Sequence, residues 1–170
     1  MAAWESSKVR AGGALSLKAR AIALLSRREH SRAELRRKLA PHAEQPEALD
    51  ALLDELERGN WLSHERFAES LVHRRASRHG WRRVAQELRQ HDLPPETLSA
   101  AIGELQATEF ERARAVWQKR FGQAPADARE YARQLRYMAA RGFSGDMVRR
   151  ILADDGGTMP DDLPSPDDLE

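Results

Sequence analysis

The sequence predicts an all-α protein: three tandem three-helix repeats stacked into an elongated, curved array, followed by a disordered acidic C-terminal tail. Three observations predict it. Leu39, Leu88 and Met138 are each followed eight residues later by an acid, Glu47, Glu96 and Asp146. Each acid is followed by an apolar set at fixed spacing, Leu49/Leu52/Leu53, Leu98/Ala101/Ile102 and Val148/Ile151/Leu152, and the copies are offset by 49 and 50 residues. A near-constant period of this length marks a repeat architecture. Second, segments between turns read with a period close to 3.6 and none alternates as a strand would. Third, 41% hydrophobic residues can supply a core, whereas no apolar run approaches the roughly 20 residues that cross a bilayer.

The elements follow in order. Leu15, Ala19, Ile22, Ala23 and Leu25 stripe a helix over 15–29, and a Ser31/Glu34 capping box opens one over 31–40 that carries Leu35 and Leu39. Pro46 opens 46–58, whose stripe is Leu49, Leu52, Leu53 and Leu56. Ser63, with Glu65 in its first turn, opens 63–78; further helices are expected over 81–91, 95–106 after Pro94 and Pro95, and 108–121. Pro125 precedes 126–141, and Ser144 with Asp146 opens 144–154. Stops are expected at Gly59, Gly80, Gly122 and Gly142. Grouped in threes, the helices give repeats at 15–62, 63–106 and 107–154, flanked by a flexible N-terminus over 1–14 and the tail over 155–170. A unit of under about 50 residues buries too little surface to be comfortably stable alone. The units are therefore expected to share apolar faces, with Trp61, Trp81 and Trp117 as the shared packing.

The net charge of +1 conceals a division: seven of the 27 acids follow Ala153 while all 28 basic residues precede it, which leaves residues 1–153 at +8. The tail also holds Pro160, Pro164 and Pro166 and no apolar periodicity, the composition of a disordered segment. Only four basic residues are Lys, so the positive body is guanidinium-rich, and planar guanidinium suits phosphate or carboxylate better than ammonium does.

Catalytic signatures are missing. The chain has no phosphate-cradling glycine loop, nucleophile elbow or zincin helix, and no cysteine, so neither an enzyme nor a bound cofactor is expected. The six histidines lie on different helices and turns without ligand spacing, so no metal is expected. His30 and His79 stand at equivalent repeat positions just before a helix, which suggests a shared role in that turn. The absence of cysteine and of an apolar N-terminal stretch fits a cytoplasmic protein. A monomer is the simplest reading.

Positive charge recurs on the second helix of each unit. Arg83 and Arg133 are equivalent positions, as are Arg37 and Arg136; Arg27, Arg32 and Arg36 lie near them in the first unit and Arg74, Arg78 and Arg82 in the second. These ten arginines are the candidate partner-binding residues. An exposed helix face is ordinarily charged, but threefold repetition would align such faces into a band able to follow a phosphate backbone or an acidic protein groove.

The stretch from Leu56 to Leu93 resembles the RecX family of recombination regulators. The features that match are Gly59, Leu62, Arg66, Phe67 and Ala68, then Gly80, Arg83 and Glu87-Leu88. Arg27, His30, Ser31, Glu34 and Leu35 in the first unit, and Arg136-Tyr137 with Arg141-Gly142-Phe143 in the third, resemble the rest of the pattern. The similarity spans about residues 15–154; His64 departs from it, standing where the family commonly has an acid. The resemblance implies a protein that binds the RecA recombinase filament, along its groove or at its growing end, and restrains ATP hydrolysis, strand exchange and co-protease activity. The alternative is a non-specific DNA-binding module using the same basic face. Base-specific readout is disfavoured, because the third helices offer Glu47, Asp50, Glu96 and Asp146, acids that phosphates repel.

Overall fold

Side-chain caps set five of the helix starts. Ser16, Ser31, Ser63, Asp127 and Ser144 accept the backbone amides of Ala19, Glu34, Arg66, Glu130 and Met147. Each pairing satisfies an amide with no intrahelical acceptor. Pro46 and Pro95 open two further helices, where the missing N–H costs nothing. In the computed structural model, which describes residues 15–155, the described residues form nine α-helices: α1 Leu17–Leu25, α2 Arg32–Leu39, α3 Pro46–Arg58, α4 His64–Ala76, α5 Trp81–Arg89, α6 Pro95–Ala107, α7 Glu109–Arg120, α8 Ala128–Ala139 and α9 Gly145–Asp154. A 3-10 turn over Ala40–His42 follows α2. No strand occurs among the described residues. The expectations for residues 1–14 and 156–170 lie outside the described residues.

Four differences from the sequence reading have physical causes. The first helix ends at Leu25, not near 29, because the Ser26 hydroxyl donates to the Ala23 carbonyl at 3.0 Å and the chain turns away. Beyond that turn, Arg28 grips Glu34 through two bonds of 2.9 and 3.1 Å, so Glu34 does not complete the expected capping box. Burial works against the charge on Glu34, yet the Arg28 guanidinium holds its carboxyl below the usual range. Pro125 does not open α8; Asp127, with an oxygen 2.7 Å from the Glu130 amide, does so two residues later. Gly80 is no helix stop either, since α4 ends at Ala76 and Gly80 is the N-cap of α5.

The apolar side chains form three cores, one per helix triplet. Ala21, Leu35, Leu39, Leu49, Leu53 and Leu56 fill the first, built by α1, α2 and α3. Phe67, Leu71, Val84, Leu88 and Leu105 fill the second, and Trp117, Tyr131, Met138, Val148, Ile151 and Leu152 the third. The period-marking Leu39, Leu88 and Met138 are each at most 1% exposed, one at the centre of each core. The units therefore do not share apolar faces as expected, and the tryptophans do not join them. Trp61 is 58% exposed, while Trp117 is buried within its own unit and donates its indole N–H to the side-chain amide oxygen (Oε1) of Gln134 at 2.7 Å. Trp81 packs on the second core.

Candidate functional site

What joins the units is polar, and it repeats. At the first junction the Oγ of Ser31, the N-cap of α2, lies 3.0 Å from Nδ1 of His91, just past the end of α5. At the second, the amide of Gly80, the N-cap of α5, donates to the Arg141 carbonyl just past the end of α8 at 2.8 Å. Ser31 and Gly80 are 49 residues apart and His91 and Arg141 are 50 apart, so the two junctions obey the repeat. Each brings the amino end of one second helix, where partial positive charge accumulates, to the carboxyl end of the next, where it is negative. Arg83 strengthens the second junction by donating to the Ala140 carbonyl at 3.1 Å. The approach there leaves no room for a side chain: a Cβ on Gly80 would lie 2.1 Å from the Gly142 carbonyl oxygen, and Gly142 itself has φ +84°.

An arginine from the first helix of each following unit clamps the junction. Arg66 of α4 donates to Glu29 at 2.8 Å and to Asn60 at 2.8 and 3.0 Å. Arg112 of α7 donates to the carbonyls of Ala76 and His79, both at 2.9 Å, and of Leu105 at 2.6 Å. Both side chains thus reach back to the turn before the preceding second helix and to the end of the preceding third helix. Beside Arg112, the buried Glu109 accepts the Trp81 amide at 3.3 Å; burial raises its pKa against the pull of that bond and of Arg112 and Arg82. Sequence reasoning assigned neither clamp. The available signal was position: a cation within the first turn or so of a helix opposes the macrodipole and needs a compensating partner elsewhere.

Burial favours the neutral form of the junction histidines. His30 is 2% exposed, with Nδ1 3.0 Å from the Arg28 carbonyl and Nε2 3.1 Å from Lys38. Burial lowers the pKa of His30, His79 and His91 alike. His91 also packs against Phe67 with ring centroids 4.7 Å apart.

The ten candidate arginines fall into two groups. Arg32 bridges Asp54 at 2.7 Å and Glu57 at 2.8 Å, Arg36 meets Asp50 at 3.1 Å, and Arg133 meets Glu130 at 2.7 Å. The stripe that Arg32 and Arg36 share on α2 therefore faces the acids of α3. The spacing of those acids, at 50, 54 and 57, matched it in the sequence. The other seven, Arg27, Arg37, Arg74, Arg78, Arg82, Arg83 and Arg136, are exposed and have no acidic partner among the described residues. Arg82 and Arg83, with Gln86, Glu87 and Gln90 of α5, line an open groove of about 570 Å³ whose other wall is the end of α8. Glu87 is held there by Arg75 at 3.0 Å. No group of three His, Asp or Glu residues able to hold a metal occurs among the described residues. No helix among them is long and apolar enough to cross a membrane.

Fold and site together define a helical-repeat protein whose distinctive surface is cationic and whose units meet through polar, repeat-related junctions. Family models for the first, second and third three-helix domains of RecX match residues 18–56, 63–102 and 107–152 in that order. The chain belongs to the RecX family of regulatory proteins. Among its relatives, the regulatory protein RecX of Ralstonia pickettii (strain 12J) is 63% identical over 139 residues, covering 82% of this chain and 87% of that protein. That of Chromobacterium violaceum is 47% identical over 146 residues, covering 86% and 93%. The crystal structure of RecX from Lactobacillus salivarius superposes with a TM-score of 0.67 at 16% identity, covering 81% of this chain and 93% of that one, a likeness of fold.

Proposed function

We propose that this chain binds the RecA recombinase filament and restrains its ATP hydrolysis, strand exchange and co-protease activity, acting as a cytoplasmic monomer without catalytic chemistry of its own. The observation that carries the reading is the set of seven exposed arginines without acidic partners among the described residues, distributed over all three units of a RecX-family chain. Arg37 of α2, Arg82 and Arg83 of α5 and Arg136 of α8 belong to the second helices, which the junctions hold in repeated register. A repeating cationic surface is the form a regulator needs to engage a repeating polymer, because each unit then meets an equivalent feature of the partner. Arg32, Arg36 and Arg133 contribute less, their charge being already matched within the chain. We read residues 15–62, 63–106 and 107–154 as the three units that dock in succession. The test is RecA ATPase on excess single-stranded DNA, with this protein added before or after filament assembly. Inhibition in both orders supports filament binding; inhibition that vanishes as DNA is raised would assign the effect to competition for DNA.

A second reading, non-specific DNA binding, is favoured by the same unpaired cations. If about five phosphates were neutralised on duplex DNA, log K would fall with log salt at a slope of about −4.5. A titration without salt dependence would exclude it.

A further inference from the structure

The third unit gathers guanidinium groups onto two aromatic rings. Phe121 and Tyr137 meet edge to face with centroids 5.2 Å apart. Arg120 lies 5.7 Å from the Phe121 ring and 5.5 Å from Tyr137, Arg133 lies 5.7 Å from Phe121, and Arg141 lies 3.5 Å from Tyr137. Cation–π pairs of significant energy occur about once per 70–80 residues; four on two adjacent rings is a concentration that core packing does not require. Both rings are only half-buried. Arg120 is exposed and has no acidic partner among the described residues, and of the three arginines only Arg133 is matched, by Glu130.

Beside Phe121 lies a cavity of about 200 Å³, walled by Arg120 and Arg133. Gln134 forms part of its lining and is held in place, accepting from the Trp117 indole and donating to the Gln123 carbonyl at 3.4 Å. The space is below the roughly 300–1,000 Å³ of small-molecule sites and suits one planar heterocycle.

We propose that Phe121, Tyr137 and Arg120 form a stacking platform for an unpaired base of single-stranded nucleic acid, with the neighbouring guanidinium groups on its phosphates. It rests on the second reading above, contact with nucleic acid, and assigns that contact to single strands. An acidic protein surface would be held by the cations alone and would gain nothing from the rings, and a duplex hides its base faces. Single strands use both features: aromatic faces for bases and arginine for the backbone.

Fluorescence anisotropy of the full chain at low salt, with a labelled oligo-dT and an abasic strand of equal length, separates base from phosphate. The wild type is expected to bind oligo-dT about 5- to 150-fold more tightly, the range for one stacked base. Phe121→Leu, which keeps an apolar side chain, should remove most of that ratio. Arg120→Gln, at an exposed position, should shrink it even if the Leu variant loses its helical circular dichroism. Equal binding of both strands by the wild type overturns the platform while leaving nucleic-acid contact intact, as does an unchanged ratio in a folded Arg120→Gln variant. Failure to bind either strand sinks the nucleic-acid reading and the platform with it. Binding to polyglutamate without preference between the strands would give the patch to an acidic protein.

Discussion

The amide of Gly80 donates to the carbonyl of Arg141 at 2.8 Å, one repeat on from the place where Ser31 meets His91. Two junctions with equivalent residues but different chemistry, a hydroxyl–imidazole contact in one and a backbone hydrogen bond in the other, hold three independently packed cores in series. The register of the cationic second helices depends on these few polar contacts.

The second junction has no tolerance for a methyl group. Gly80→Ala would place its Cβ 2.1 Å from a backbone oxygen, and backbone cannot move aside as a flexible side chain can. Overpacking of this kind costs typically about 1–3 kcal/mol. The variant should melt at a lower temperature and be cleaved faster by protease between the second and third units, with the first unit unaffected.

Arg112→Met keeps much of the aliphatic stem but leaves three carbonyls without their donor and removes the cation next to buried Glu109. An unsatisfied buried polar group costs about 1–3 kcal/mol, so destabilisation on the order of 2 kcal/mol is expected by chemical denaturation. A change within error would show that water replaces the clamp freely.

Separate cores predict local damage. Leu53→Ala removes a fully buried side chain from the first core at a cost of about 2–5 kcal/mol. Hydrogen exchange should accelerate in α1, α2 and α3 well before it does in α7, α8 and α9. Uniform acceleration would mean that the units unfold as one.

Acid should loosen the first junction. His91 ionises more readily in the unfolded chain, near pH 6.5, than when buried in the fold. The unfolded state then binds more protons over that interval, so stability is fully present above about pH 6.5 and is lost as pH falls through the depressed folded-state value. His30 and His79 act with the same sign. Glu109, whose pKa is raised, acts with the opposite sign and from a lower starting point, about 4.3. Denaturation midpoints should therefore drop between pH 7.5 and 5.5, and His91→Gln should flatten part of that slope.

Most of the fold was legible because it is local. The repeat of Leu39, Leu88 and Met138, the serine caps and the two opening prolines each act within a few residues, and the structure places them as read. The junctions were not legible. Ser31 and His91 are 60 residues apart, and Arg112 reaches 36 residues back to Ala76. A polar contact at that separation leaves no periodic trace. Small unit size suggested shared apolar faces; instead, each triplet closes its own core around residues such as Leu53, Leu88 and Trp117. The arginine face was legible as positions but not as charge balance. Only the fold shows Asp50, Asp54 and Glu57 opposite Arg36 and Arg32.

The central claim is that the unpaired cations of the second helices engage the RecA filament, and ATP hydrolysis by that filament tests it most directly. Arg37, Arg82 and Arg136 are exposed, one in each unit. With RecA on excess single-stranded DNA, the wild-type chain should slow ATP turnover, and a folded Arg37→Glu/Arg82→Glu/Arg136→Glu variant should leave it close to the rate of RecA alone. Equal inhibition by the folded triple variant, or no inhibition by the wild type, would contradict the account.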